Sequence, residues 1–146
     1  MKTQHVYNAL RITAIMLLII IAAGALAAGY SFMVEPSGEA VGISTDYLKP
    51  EAPFDHYLIP GVVLFTVIGV FSGVIAFFAI RQTGFYSLLI LIEGCIYIGW
   101  IAIQLTMVVA FHPLHAIVAS IGAVLVVIGA ILTKEQLTAK VRARPH

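Results

Sequence analysis

Hydrophobic residues are concentrated in four long runs, which shorter polar segments separate. The runs cover residues 12–34, 58–80, 86–110 and 115–133. A helix needs about 20 predominantly apolar residues to cross the hydrocarbon core of a bilayer, a length that even the last run approaches. The pattern therefore predicts an integral membrane protein with four spanning helices.

The segments between the runs contain residues that stop helices. Residues 35–57 hold three prolines, whereas the connections around Arg81 and Pro113 are only a few residues long. Connections this short join helices that run antiparallel and lie side by side. We therefore predict an all-α fold, an antiparallel four-helix bundle that forms a single domain over residues 1–146.

The distribution of charge predicts how the helices cross the membrane. The basic residues outside the first connection are Lys2, Arg11, Arg81, Lys134, Lys140, Arg142 and Arg144. The first connection, residues 35–57, carries five acidic residues and a single basic one, Lys49. Because short cytoplasmic segments are enriched in Lys and Arg, we expect both termini and the basic tail, residues 134–146, to be cytoplasmic and the acidic loop to be extracytoplasmic.

The acidic loop also contains apolar and aromatic residues, among them Val41, Ile43, Tyr47, Phe54 and Tyr57. This mixture is too apolar for a free linker. We expect the loop to fold over the outer end of the bundle or to lie along the membrane interface, with a short helix near residues 45–49.

The amino terminus has some features of a signal peptide. Lys2 and Arg11 precede the first run, and Ala25-Leu26-Ala27 matches the small-residue pattern of a cleavage site. The run is longer than the roughly 7 to 15 apolar residues of a signal-peptide core, so we expect the first helix to be retained.

Glu93 is the only Asp, Glu, Lys or Arg inside the four runs. An isolated carboxylate in hydrocarbon costs several kcal/mol, so this intramembrane glutamate has to face protein, water or a ligand, or be protonated. At about 100° per residue, Tyr97, Trp100 and Gln104 share with Glu93 an arc of about 60° on the third helix. We call these four residues the polar stripe and expect it to point into the bundle.

Two interpretations of the polar stripe remain open. In the first, Glu93 is a protonated or hydrogen-bonded carboxyl that fixes helix register through Tyr97 or a hydroxyl on a facing helix. The candidate hydroxyls are Thr13, Thr66, Ser72, Thr106 and Ser120. In the second, the stripe lines a cavity that binds a ligand or relays a proton.

The leading functional hypothesis is a non-enzymatic membrane protein that binds a small apolar or amphipathic ligand, or a lipid, at the polar stripe. The alternative is a structural or accessory subunit that docks on another membrane protein through its small-residue faces. Those faces contain Gly24 with Ala28, Ala25 with Gly29, Gly69 with Gly73, and Ala119 with Ala123. Small residues let helices approach closely in lipid, which predicts packing within the bundle and leaves a homodimer open.

A third hypothesis is a haem- or metal-dependent redox protein that uses His56, His112 and His115, all at the outer end by topology. Their spacing matches no established metal motif, and the ordinary alternative is that these histidines lie at the membrane interface and cap helix ends. The sequence also lacks a Ser-His-Asp order, a phosphate-binding glycine loop and a nucleic-acid-binding pattern, so we predict neither a hydrolase, an NTPase nor a nucleic-acid partner. Cys95 is the only cysteine, which excludes an intrachain disulfide.

Two segments carry a resemblance to a known family. Residues 53–61 read Pro-Phe-Asp-His-Tyr-Leu-Ile-Pro-Gly at the start of the second run, and Trp100-Ile101 is followed by Gln104 in the third. They resemble a family of small, uncharacterised four-span bacterial membrane proteins. The resemblance implies the four-helix fold and an inner-membrane location, but no activity. Members of that family often have a Leu-Gln-Pro-Leu turn where this chain has Phe111-His112-Pro113-Leu114, so His112 is a departure.

Overall fold

The computed structural model describes residues 2–143, and within them the chain is helical with a single isolated β-bridge. The helices are α1 (Lys2–Val34), α2 (Leu58–Arg81), α3 (Tyr86–Met107) and α4 (Pro113–Arg142). All four are long and apolar enough to cross a membrane, which confirms the prediction of an integral membrane protein with an all-helical fold. Arg144 of the predicted basic tail lies outside the described residues.

Three helix boundaries differ from the limits of the apolar runs by three residues or more. α1 begins at Lys2 and α4 continues to Arg142, because good helix formers and no prolines flank the runs at these ends. α3 ends at Met107 instead of residue 110. Val109 N donates to Tyr47 O at 2.8 Å, and Lys49 N donates to Met107 O at 2.8 Å. The β-branched residues after Met107 therefore leave the helix to pair with the acidic loop.

α2 is not a regular helix. Its central segment, Leu64–Val70, is a π-helix, and regular α-helix precedes and follows it. A π turn accommodates one residue more than an α turn, so it rotates the following part of the helix by about 100°. The π segment ends directly before Phe71 and Ser72. It therefore determines which face of α2 presents Ser72.

The bundle consists of two antiparallel hairpins, α1 with α2 and α3 with α4, and each is packed along its length. Glycines allow the helices of a hairpin to touch. A Cβ atom added to Gly29 of α1 would lie 2.6 Å from the backbone nitrogen of Phe65, and one added to Gly129 of α4 would lie 2.5 Å from that of Leu91. Gly94 and Gly122 face each other in the second hairpin with similarly little space.

The small-residue spacing predicted these contacts only in part. Gly29 and Gly69 do lie against the facing helix, and Ala25 is buried. Gly24 and Gly73, predicted as contacts, face open space, with no atom within 4 Å of an added Cβ. On α4, Gly122 and Gly129 are seven residues apart, a spacing that a search for pairs four residues apart does not detect.

The acidic loop packs onto the end of the bundle where α1 ends and α2 begins, which we call the loop end. It contains the 3-10 turns Glu39–Val41 and Thr45–Tyr47, the second within the region predicted to be helical. Tyr57 is buried, its ring centroid lies 5.0 Å from that of Phe32, and its hydroxyl donates to Ser44 O at 2.9 Å. The opposite end, where α1 begins and α4 ends, is called the termini end below.

We predict that Gly129→Ala destabilises the second hairpin. The added methyl group would overlap the Leu91 backbone, and overpacking of this kind costs about 1–3 kcal/mol. Gly73→Ala is the matched control, because its Cβ meets open space. Thermal unfolding in detergent, followed by helical circular dichroism, should show a lower midpoint for Gly129→Ala alone; equal midpoints for the two variants would contradict the close approach.

We also predict that the loop detaches from the bundle at high pH. Burial, with smaller contributions from Asp46 and Tyr47, raises the pKa of the Tyr57 hydroxyl above its ordinary value. The folded state thus favours the protonated phenol, so this stabilisation is complete below the unfolded pKa of about 10 and is lost as pH rises through the folded value. Limited proteolysis of the loop should accelerate there in wild type, and Tyr57→Phe should lack that pH dependence.

Candidate functional site

Glu93 and Tyr97 of α3 meet Ser72 of α2 in the interior of the bundle. Ser72 Oγ lies 2.6 Å from Glu93 Oε1 and 2.5 Å from Tyr97 Oη. It also lies 2.5 Å from the carbonyl oxygen of Ile68, one turn earlier in α2. All three side chains are 0% exposed. We call Ser72, Glu93 and Tyr97 the polar cluster.

The polar cluster connects the two hairpins. Among the described residues, these are the only buried side chain to side chain hydrogen bonds between the two hairpins; at the termini end, the Tyr7 hydroxyl of α1 also pairs with the Glu135 carboxylate of α4. The bond from Ser87 to Gln136, at 2.5 Å, stays within the second hairpin. The alignment of the hairpins at this depth therefore depends on three side chains.

One arrangement of protons makes every contact of the polar cluster a hydrogen bond. The Ser72 hydroxyl has one hydrogen and three oxygen neighbours, and the Ile68 carbonyl can only accept. If Ser72 donates to Ile68, then Tyr97 and a protonated Glu93 both donate to Ser72, and all three contacts are hydrogen bonds. An ionised Glu93 would compete with Ile68 for the same hydrogen. A neutral carboxylic acid is thus the form that pairs every contact.

Two polar atoms of the polar stripe lack partners. Glu93 Oε2 and Trp100 Nε1 are both buried, and neither makes a hydrogen bond to any described residue. An unpaired buried group costs about 1–3 kcal/mol. The two residues are seven positions apart on one helix face, which separates them by about 10 Å. The polar stripe therefore contains an unpaired acceptor and an unpaired donor at different depths.

The structure distributes the predicted stripe residues between two environments. Glu93 and Tyr97 belong to the fully enclosed polar cluster, whereas Trp100 and Gln104 are half-buried and lie nearer the loop end. Ser72 was one of five hydroxyl candidates. Three others bond to the backbone of their own helix instead, namely Thr66, Thr106 and Ser120. Thr13 is exposed.

The three histidines near the loop end accept hydrogen bonds from backbone N–H groups at the starts of α2 and α4. His112 Nδ1 accepts from Leu114 N at 3.2 Å, and His115 Nδ1 accepts from His112 N at 3.0 Å, which together cap α4. His56 Nδ1 accepts from Leu58 N at 3.4 Å, at the start of α2. Within residues 2–143, no three His, Cys, Asp or Glu side chains are grouped so that they could hold a metal ion.

Two cavities lie at the termini end, away from the polar stripe. The first has a volume of about 250 Å³ and a lining that includes Asn8, Arg11, Gln82, Tyr86, Glu135 and Gln136. The second, of about 230 Å³, is lined more by apolar residues, such as Phe85 and Leu137. The sequence did not predict the first cavity, although most of its polar residues lie close to the limits of the apolar runs.

The chain matches no family model, no curated protein and no solved structure. The family resemblance carried by residues 53–61 and the Trp-Ile-x-x-Gln segment therefore stays a prediction.

We predict that Ser72→Ala lowers the free energy of unfolding by about 1–3 kcal/mol, because it leaves the Glu93 carboxyl and the Tyr97 hydroxyl buried without a partner. Ser120→Ala is the control, since Ser120 is exposed and bonds only to its own helix at Ala116 O. Reversible unfolding in mixed micelles measures both. The polar cluster has no connecting role if the two variants lose the same stability.

Proposed function

We propose that this chain is a multi-pass membrane protein that binds a small apolar or amphipathic ligand, or a lipid, between its two hairpins. The site is the polar stripe: Glu93, Tyr97, Trp100 and Gln104. The observation that supports this proposal is the pair of buried, unpartnered atoms, Glu93 Oε2 and Trp100 Nε1. A ligand that pairs with both atoms recovers the free energy that they otherwise cost.

The chemistry of the two atoms defines the ligand. When Glu93 is neutral and donates from Oε1 to Ser72, Oε2 is a carbonyl-type acceptor, and the indole nitrogen is a donor only. A matching ligand therefore carries a hydroxyl or N–H group and an acceptor about 10 Å apart on an apolar skeleton. Glu93 protonation would then tune occupancy, because an ionised carboxyl competes for the Ser72 hydrogen.

Access to the stripe follows from how the hairpins are held. Close glycine contacts fix the helices within each hairpin, whereas in the interior of the bundle the polar cluster supplies the side-chain hydrogen bonds between hairpins. A ligand would enter from the bilayer by separating the hairpins at the half-buried Trp100 and Gln104. Collective motions of packed helices, such as this separation, occur on the microsecond to millisecond scale.

We place the protein in a bacterial inner membrane with both termini cytoplasmic and residues 35–57 outside. The segregation of Lys and Arg supports the orientation, and the family resemblance supports the location.

An accessory subunit of another membrane protein is the second candidate. The complete enclosure of Glu93, Tyr97 and Ser72 favours it, because a fixed structural connection needs no access from outside. This function predicts a stoichiometric protein partner, either a different chain or a second copy of this one, after extraction in mild detergent.

The ligand proposal predicts that a small molecule co-purifies with the full chain. Organic extraction followed by mass spectrometry should recover it from wild type, and Trp100→Phe, which removes only the indole donor, should retain about tenfold less. Ile103→Ala is the control, because Ile103 lies on the exposed surface of α3.

Glu93→Gln tests the other end of the same site. It keeps the shape of the side chain but changes its protons, so ligand content should fall while the helical content is retained. Equal recovery of every small molecule, lipids included, from all four proteins would contradict the proposal; a stoichiometric polypeptide in its place would favour the accessory role.

A further inference from the structure

The cavity at the termini end is positioned at the limits of all four apolar runs. Arg11 directly precedes the first run, and Gln82 follows the second. Tyr86 begins the third, and Glu135 and Gln136 follow the fourth. In a bilayer that the four runs cross, these residues lie where hydrocarbon gives way to headgroups, a level at which tyrosine is enriched. The cavity is thus at headgroup depth.

The charges in the cavity have opposite signs. Arg11 brings a guanidinium and Glu135 a carboxylate. The Tyr7 hydroxyl pairs with one position of that carboxylate, which has further acceptor sites, and the remaining polar residues are neutral amides and the phenol of Tyr86. Arg11 Nε is buried and has no hydrogen-bond partner among the described residues. A guanidinium binds phosphate through paired N–H donors, and an unpaired buried N–H is costly. The described residues therefore supply no acceptor for this N–H group, and a phosphate oxygen is a suitable one.

The lining distinguishes between kinds of anionic ligand. A purely anionic headgroup would meet Arg11 favourably but would also be close to the negative Glu135. A headgroup that carries a phosphate and an ammonium can pair with both residues at once. The volume of about 250 Å³ is slightly below the range of roughly 300–1,000 Å³ for drug-sized ligands, which suits a headgroup whose acyl chains stay outside.

We propose that this cavity binds the headgroup of a zwitterionic phospholipid with a primary ammonium, of the phosphatidylethanolamine type. Arg11 donates to the phosphate oxygens, and the ammonium donates to Glu135. The acyl chains lie along the exposed apolar surface of the helices. This site is separate from the polar stripe and does not depend on the function proposed for it.

Native mass spectrometry of the full chain with defined lipids tests the assignment. Wild type in a nonionic detergent should bind phosphatidylethanolamine about tenfold more tightly than phosphatidylcholine, whose methylated ammonium cannot donate hydrogen bonds to Glu135. It should also prefer phosphatidylethanolamine to phosphatidylglycerol. Soluble phosphoethanolamine is added in a parallel titration, because it carries the same charged groups without acyl chains.

Charge variants assign the roles of the two residues. Glu135→Gln should remove the preference for phosphatidylethanolamine over phosphatidylglycerol, since the repulsion of the anionic headgroup is lost with the attraction of the ammonium. Arg11→Gln should weaken binding of both lipids about tenfold, and Arg11→Lys should keep most of it. Arg81→Gln is the matched control, because Arg81 is an exposed cation at the same end and does not line the cavity.

Three results would overturn the proposal: equal retention of the three lipids by wild type, identical lipid selectivity in Glu135→Gln and wild type, or an equal effect of Arg11→Gln and Arg81→Gln. Binding of soluble phosphoethanolamine in the absence of any lipid preference would reassign the cavity to a free metabolite with the same charges. Retained helical circular dichroism in the Arg11→Lys protein verifies that the fold tolerates changes at this position.

Discussion

A carboxyl group that is completely enclosed by apolar helices has to find its hydrogen-bond partners inside the protein, and much of this structure follows from that requirement at Glu93. Its nearest partner, Ser72, belongs to the other hairpin, so the two hairpins have to meet at one particular depth and rotation. The π segment Leu64–Val70 sets the rotation of Ser72, and the i, i+4 spacing places Tyr97 beside the same hydroxyl. A backbone irregularity in α2 and a polar residue in α3 are thus parts of one arrangement.

Different forces act within and between the hairpins. Within each one, glycines bring backbones into contact, so dispersion contacts accumulate along the whole helix pair where lipid provides no hydrophobic drive. Between them, in the interior of the bundle, the hydrogen bonds of the polar cluster give specificity at the depth of Ser72. Lipid tails cannot compete for these hydrogen bonds. If the contact opens, however, no water is present at this depth to bond to the hydroxyl and carboxyl groups. Such an interface tolerates rearrangement only when another polar molecule replaces the lost partners.

The sequence predicted the features that depend on local pattern. The apolar runs determined the four helices, and the 3.6-residue period placed Glu93 and Tyr97 on one inward face. It did not select Ser72 from five hydroxyls, because the π segment breaks the regular period of α2. The sequence did not predict the early end of α3 or the first cavity at the termini end, because both depend on residues that are far apart in the chain. Helix capping by His112 and His115 was one of several uses that their spacing allowed.

The acidic loop joins α1 to α2, yet it pairs with the other hairpin at the end of α3, through Leu48 and Val108 and through Lys49 and Met107. The loop end is therefore cross-linked by backbone hydrogen bonds, and at the termini end the short turn between α2 and α3, residues 82–85, joins the two hairpins covalently. The hairpins are consequently tethered at both ends, so any separation between them is widest between the tethers, at the depth of the polar stripe. Lipid acyl chains beside the middle of the bundle, rather than headgroups at either surface, would experience most of the displacement.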